Sequence, residues 1–250
     1  MGRARAGCCQ SDRTPGSGPR DQGSMKDSDY SVAKAQTYGW GPDAPPDAQK
    51  TSILRRFVKG PAVLDVGSAT GTYVDLLARD GLDVTGLEAI PEFLHEAEMR
   101  GRRGRFVQGS AESMPFADKS FDSTVLFDVL EHLDDRAVAA EAVRVTRSRI
   151  LVLVPLKDPP ELLRNNFVFQ HHRDRTHLRE YEIDDLSRLF TELGGRVRAI
   201  EKAYPANPRG LLADSLRLPP PFRLLLRGLL RAVKPLFTPH FSEVFLVVDV

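Results

Sequence analysis

Cysteine is nearly absent: the 250-residue chain has two, the adjacent Cys8 and Cys9. Two neighbouring cysteines supply neither a disulfide framework nor a cysteine ligand set for zinc, and they fit a reducing compartment. Long apolar runs are missing as well. The longest, Ile150 to Leu156, contains Pro155 and falls far short of the roughly 20 residues that cross a bilayer. No apolar stretch follows Arg3 and Arg5, and Ala6 stands where a myristoylation signal has Ser or Thr, so no secretory leader or acyl anchor is read there. A cytoplasmic protein is expected, peripheral to a membrane at most. A surplus of one charge sign is also lacking. The 35 Lys and Arg balance 34 Asp and Glu for a net charge of +1, which gives no chain-wide field to gather a polyanion.

What is present is a foldable composition, with 41% hydrophobic and 28% charged residues, enough to bury a core and of a size for one domain. The stretch 1–24 has no Val, Ile, Leu, Phe, Trp or Tyr, and beyond Met1 no Met, so it cannot offset the entropy of ordering and is expected to be a disordered tail. Met25 follows directly, and 25–250 reads as a single domain. Apolar spacing predicts a helix over Asp47 to Val58 after Pro45 and Pro46. Beyond it, strands at Pro61–Val66, Asp83–Leu87, Arg105–Gln108, Phe121–Phe127 and Ile150–Val154 alternate with helices at Thr72–Arg79, Pro91–Met99 and Arg136–Val145. That alternation implies a parallel sheet covered on both faces, an α/β fold. A helix at Ile183–Leu193 and two late strands at Val197–Ala203 and Val244–Val248 follow, with 205–241 between them an insertion carrying an amphipathic helix.

The first strand runs into Asp65-Val66-Gly67-Ser68-Ala69-Thr70-Gly71, and the second ends at Glu88. Glycines at a strand-to-helix turn admit close approach of a ligand, and the helix N-terminus beyond favours an anionic group. An acidic residue about 20 positions on suits the two hydroxyls of a ribose. A nucleoside derivative is expected. The Gly-x-Gly-x-x-Gly fingerprint is absent and no Lys follows Gly71, which excludes the usual dinucleotide and P-loop readings. With Gly109-Ser110-Ala111-Glu112-Ser113-Met114-Pro115-Phe116 and Phe121-Asp122 added, the pattern over about 50–195 resembles the class I S-adenosylmethionine-dependent methyltransferases, type 11 group. The resemblance implies a Rossmann-like, seven-stranded, mostly parallel sheet with helices on both faces and an antiparallel last strand. It implies S-adenosyl-L-methionine as cofactor, with its methionine part against Asp65, Gly67, Ser68 and Gly71, its ribose on Glu88 and its adenine beside Ala89, Ala111 and Glu112. Phe127 would lie near the transfer centre. Ser110 departs from the Asp that the family often has there.

The acceptor is expected to be a small or lipid-linked molecule, methylated at oxygen. His132, close in sequence to the cofactor motif, and His177, in the loop that covers the acceptor pocket in the resembled family, are the candidate catalytic bases; His171 and His172 accompany His177, while His95 and His240 read as surface residues. If Asp128 to His132 were helical, Asp128, Glu131 and His132 would share a face, resembling the Glu-x-x-Glu-His magnesium pattern of ubiquinone-type O-methyltransferases; first-turn acids account for it as well, and no metal is assigned. The Pro-Pro-aromatic turn of base-amino methyltransferases is replaced by Phe127-Asp128-Val129-Leu130, which disfavours nucleic acid. The competing readings are a nucleic-acid methyltransferase and a catalytically silent cofactor-binding protein. In Phe222 to Lys234, Arg223, Arg227, Arg231 and Lys234 form a basic stripe beside a leucine-rich face, the pattern of a helix lying at a membrane surface, capping a pocket or pairing two subunits as a homodimer.

Overall fold

A computed structural model of the chain describes residues 30–164, 174, 176–206, 219–232 and 240–250. The tail expected over 1–24 and most of the insertion expected over 205–241 lie outside the described residues, as do His171 and His172.

Seven strands make one sheet: β1 (Ala62–Val66), β2 (Asp83–Glu88), β3 (Arg105–Gln108), β4 (Phe121–Phe127), β5 (Thr146–Pro155), β6 (Arg196–Ala206) and β7 (His240–Asp249). Their order is β3-β2-β1-β4-β5-β7-β6. β1 to β5 pair in parallel, while β7 runs antiparallel to both β5 and β6. The strand order reverses between β1 and β4, and at such a switch point the carboxyl ends of the strands leave a crevice for a ligand.

The helices are α1 (Val32–Tyr38), α2 (Ala48–Phe57), α3 (Thr72–Arg79), α4 (Pro91–Met99), α5 (Asp135–Val145), α6 (Pro160–Arg164), α7 (Ile183–Glu192) and α8 (Pro220–Ala232). Their starts follow local chemistry. Asp47 accepts from the Gln49 and Lys50 amides, and Asp134 from those of Arg136 and Ala137, satisfying donors that a helix leaves open. Pro91 opens α4, where its missing N–H costs nothing. β1 over Ala62–Leu64 and β5 over Ile150–Pro155 are continuously apolar because both sheet faces are covered there. On one face α2 and α3 bring Ile53, Leu54, Phe57, Val74 and Leu77 against Val63, Val125, Leu151 and Phe245. On the other, α5 and α7 bury Val138, Ala142, Leu186 and Phe190 against Leu64, Leu126, Ile150 and Leu246.

The late strands are longer than sequence spacing indicates, since Arg196 to Ala206 pairs with His240 to Asp249 almost end to end. α1 has no counterpart in the sequence reading. It buries Ala35 against Ile90 and Phe93, with Tyr30, Val32 and Ala69 packed around them. Among the described residues no helix is long and apolar enough to cross a membrane.

Candidate active site

The turn after β1 is held in a shape that few side chains allow. Gly67, Ala69 and Gly71 have φ of 68°, 45° and 74°. The amides of Gly67 and Ser68 both donate to the Leu87 carbonyl, at 2.8 and 3.1 Å, fastening the turn to β2. A Cβ on Gly67 would lie 2.8 Å from Val129 Cγ2, so the bare backbone lets the turn meet the exit of β4. Gly71 also makes room for a ring of β3, since its Cβ would fall 2.5 Å from Phe106 Cζ.

Asp65, 4% exposed, has its carboxyl pushed up to about 7 by burial, with Lys50 drawing it down and Glu88 adding to the rise. The hydroxyl of Ser68 is buried with no hydrogen-bond partner. Glu88 receives the Ala69 amide on one oxygen at 2.8 Å and the Ile90 amide on the other at 2.9 Å. Burial raises its pKa against the pull of these amides and that of Ala89. The Ala89 carbonyl accepts from Gln108 Nε2 at 3.3 Å. Ala111 is buried in the main core. Glu112 is exposed, and its carboxylate accepts the Asp134 amide at 2.9 Å; Ser110 Oγ accepts the Glu112 amide at 3.1 Å, so both side chains shape the loop.

Phe127 ends β4 with its ring edge-on to Tyr73 and Phe245, at centroid separations of 6.2 and 5.6 Å. The helix considered over Asp128 to His132 does not form. Asp128 adopts φ 57° and only Leu130–His132 makes a single 3-10 turn; the Asp128 carboxylate pairs with Lys50 of α2 rather than joining Glu131 and His132 on one helix face, though it remains near enough to act on both electrostatically. Glu131 is 1% exposed with one oxygen unpartnered, and its pKa is pushed up by burial and then by Asp128. Glu243, on β7, also has an unpartnered buried oxygen; burial, then Asp128, raises it to about 8 while Lys50 opposes.

His132 and His177, 45 positions apart in sequence, meet with ring centroids 4.6 Å apart. His132 Nδ1 lies 2.9 Å from the Tyr30 hydroxyl and 3.0 Å from Thr176 Oγ1. Burial, then the neighbouring His177, lowers its pKa to about 4, so it is neutral at pH 7. One ligand-type atom from each of Glu131, His132 and His177 falls within 4.8 Å of the others. His95 is exposed on α4, and His240 opens β7.

The structure thus lines up Asp65, Gly67, Ser68, Glu88 and Phe127 along the carboxyl edge of the sheet, with His132 and His177 beside them. Sequence reasoning missed Lys50, Tyr73, Tyr30 and Glu243. Of these only Glu243 carries a signal in the chain, a lone acid in the apolar run Val244 to Val248 that it precedes.

The arrangement defines a class I methyltransferase fold. Residues 64–153 match the family model described as a methyltransferase domain. A demethylmenaquinone methyltransferase from Thermotoga maritima is 39% identical over 100 residues, covering 37% of this chain and 44% of its own. The chain spans only 35% to 44% of the length of this relative and of an uncharacterized methyltransferase from Mycobacterium sp. (strain JLS), which is 39% identical over 89 residues, or 35% of this chain. Among solved structures, a SAM-dependent methyltransferase from Archaeoglobus fulgidus aligns with a TM-score of 0.57 at 18% identity, covering 81% of this chain and 93% of that one. The [4+2]-cyclase SpnF aligns with a TM-score of 0.57 at 19% identity, over 84% of this chain and 82% of its own. At such identities the likeness concerns the fold alone.

Proposed function

We propose that the chain is an S-adenosyl-L-methionine-dependent methyltransferase, one domain over 25–250, that methylates an oxygen of a small-molecule or lipid-linked acceptor. The observation that carries this reading is the turn after β1, where the buried Asp65 and Glu88 carboxyls flank a Ser68 hydroxyl that is buried without a partner. An orphaned hydroxyl and two desolvated acids cost stability in the free protein, and a ligand with an amine, a positive charge and ribose hydroxyls would satisfy all three. When bound, this cofactor supplies a methyl group on a positively charged sulfur.

The residues of the chain do the rest. Asp65, Gly67, Ser68 and Gly71 hold the methionine end, and Glu88 uses its free lone pairs on the ribose. Ala89, Ala111 and Glu112 line the adenine side, and Phe127 walls the transfer point. Methyl transfer is an in-line displacement, so most of the rate comes from holding the acceptor in line. For a hydroxyl acceptor a proton must also leave, and His132, neutral at pH 7 and oriented by Tyr30 and Thr176, is the first candidate to receive it, with His177 beside it. No step is assigned to a metal.

The exposed Phe222, Leu224, Leu225 and Leu229 of α8 support a peripheral membrane contact that would bring a hydrophobic acceptor to the site; subunit pairing through the same face is the alternative. A fold shared with a cyclase favours one second reading, a cofactor-binding protein that transfers no methyl group. Transfer of labelled methyl from the cofactor to a cell-extract product, followed by mass spectrometry, separates the two. Label in a small or lipid product supports the proposal, label in RNA or DNA redirects it to nucleic acid, and cofactor binding without product leaves the second reading.

A further inference from the structure

The carboxyls at the sheet edge face a cation from outside the matched segment. Lys50, on α2, pairs with Asp128 and stands 5.9 Å from the centroids of both the Tyr73 and the Phe127 rings. Its field also reaches Asp65, Glu131 and Glu243. Asp65 lies one residue before the end of β1 and Phe127 ends β4, the two strands at the reversal of sheet order. A fixed ammonium therefore stands between the turn assigned to the methionine end and the exit of β4. Carboxylates and aromatic faces attract cations, so these are the groups that would receive a positively charged sulfur, and Lys50 already engages them.

We propose that Lys50 sets the charge preference of the cofactor site, opposing a sulfonium there and favouring the neutral thioether that remains after transfer. The inference rests on the reading of the site given above. In the transfer, a lone pair of the acceptor oxygen forms the new bond to the methyl carbon, the carbon–sulfur pair returns to sulfur, and the acceptor's proton leaves to a neighbouring base or to water. Sulfur passes from cationic to neutral, so the repulsion from Lys50 fades as the reaction advances. An interaction less favourable in the ground state than in the transition state speeds the chemical step.

Asp128 gives the inference an internal control, because it holds and partly cancels the ammonium. Titration calorimetry with S-adenosylmethionine and, separately, S-adenosylhomocysteine measures the ratio of the two Kd values in the wild type and in Lys50→Met, Lys50→Arg and Asp128→Asn. Two unit charges roughly 6 Å apart at an effective dielectric near 20 interact strongly enough for a shift of about 10-fold or more. Lys50→Met should move the ratio by that much toward the sulfonium, Lys50→Arg should leave it in place, and Asp128→Asn should move it toward the thioether. An unchanged ratio in Lys50→Met, or a shift of both neutral variants in the same direction, would overturn the proposal. If Lys50→Met does not fold, Lys50→Gln takes its place and must move the ratio in the same direction, because Asp128→Asn also removes a carboxylate that would itself attract a sulfonium. A wild type that binds neither ligand would remove the cofactor reading itself, a result distinct from a flat ratio.

Discussion

Glu88 does two jobs with one carboxylate. Its oxygens fasten the amides of Ala69 and Ile90, joining the turn after β1 to the start of α4, and the same group is the one proposed to receive the ribose. Glu88→Ala is expected to weaken S-adenosylmethionine binding by about 1–3 kcal/mol, the cost of hydrogen bonds to a charged group, with Kd read by calorimetry. Because the amides lose their acceptor too, the melting temperature of the ligand-free protein should fall as well; an unchanged melt with an unchanged Kd would take Glu88 out of both roles. Gly71→Val acts through packing. It forces a branched residue to φ 74° and drives its Cβ into the Phe106 ring, so a loss of about 2 kcal/mol or more is expected in urea unfolding without any ligand. A variant as stable as the wild type would show that β3 yields at no cost.

At the scale of elements, two links decide how the site is closed and how the sheet is held. The Tyr30 hydroxyl, just ahead of α1, joins Thr176 Oγ1 at 2.6 Å and His132 Nδ1 at 2.9 Å. Tyr30→Phe should cost about 1 kcal/mol and raise amide exchange in 32–38 more than in the strands; uniform exchange would mean that α1 is held by Ala35 and its neighbours alone. Arg149, on β5, gives its guanidinium to Asp249 at 2.8 Å and to the Phe57 carbonyl at 3.1 Å. Arg149→Ala should destabilise by about 3 kcal/mol, since it leaves buried acceptors behind, and chemical denaturation would read it. Arg196 and Arg198 remain within 3.4 Å of Asp249, which keeps the cost at the low end. The same elements show what a sequence exposes. α3, α4 and β3 are legible to the residue because apolar spacing and a Gly or Pro at the boundary agree, and β4 because its run stops at Asp128. α1, Val-Ala-Lys-Ala-Gln-Thr-Tyr, buries little besides Ala35 and carries no period. The β1 turn and Glu88 are legible because backbone shape and charge sit on one short segment. Lys50, Tyr73 and Tyr30 are not, because each becomes part of the site only when a distant element folds over it, and left-handed backbone at Asp128 overrides the helical spacing of 128–132.

Over the whole molecule, buried acids and a buried histidine set the pH dependence of stability. Asp65 and Glu243 titrate at about 7 and about 8 in the fold, above their unfolded values near 4, and Glu131 and Glu88 shift the same way. A raised carboxyl stabilises the fold fully below its unfolded pKa, and that contribution disappears as pH rises through the folded value. His132, lowered to about 4, runs oppositely: its contribution is full above its unfolded value near 6.5 and is lost toward pH 4. One histidine offsets at most one of the raised carboxyls between about 4.5 and 6.5, so the melting temperature of the ligand-free protein should already decline there and should fall most steeply between about pH 6.5 and 8.5. Asp65→Asn and Glu243→Gln should flatten that fall; a wild-type melt that is level or rising across the window would contradict the assignment. A last consequence comes from the place of β7 in the sheet. It lies between β5 and β6 and is the partner that joins them, matching Arg149 with Asp249, 100 positions apart. Closing so long a loop is costly in entropy and slow. During synthesis, β1 to β5 can assemble as each strand leaves the ribosome, but β6 must wait unpaired until residues 240–249 arrive. Until then β5 presents an open edge, the state in which a chaperone or a second nascent chain could occupy the vacant lane.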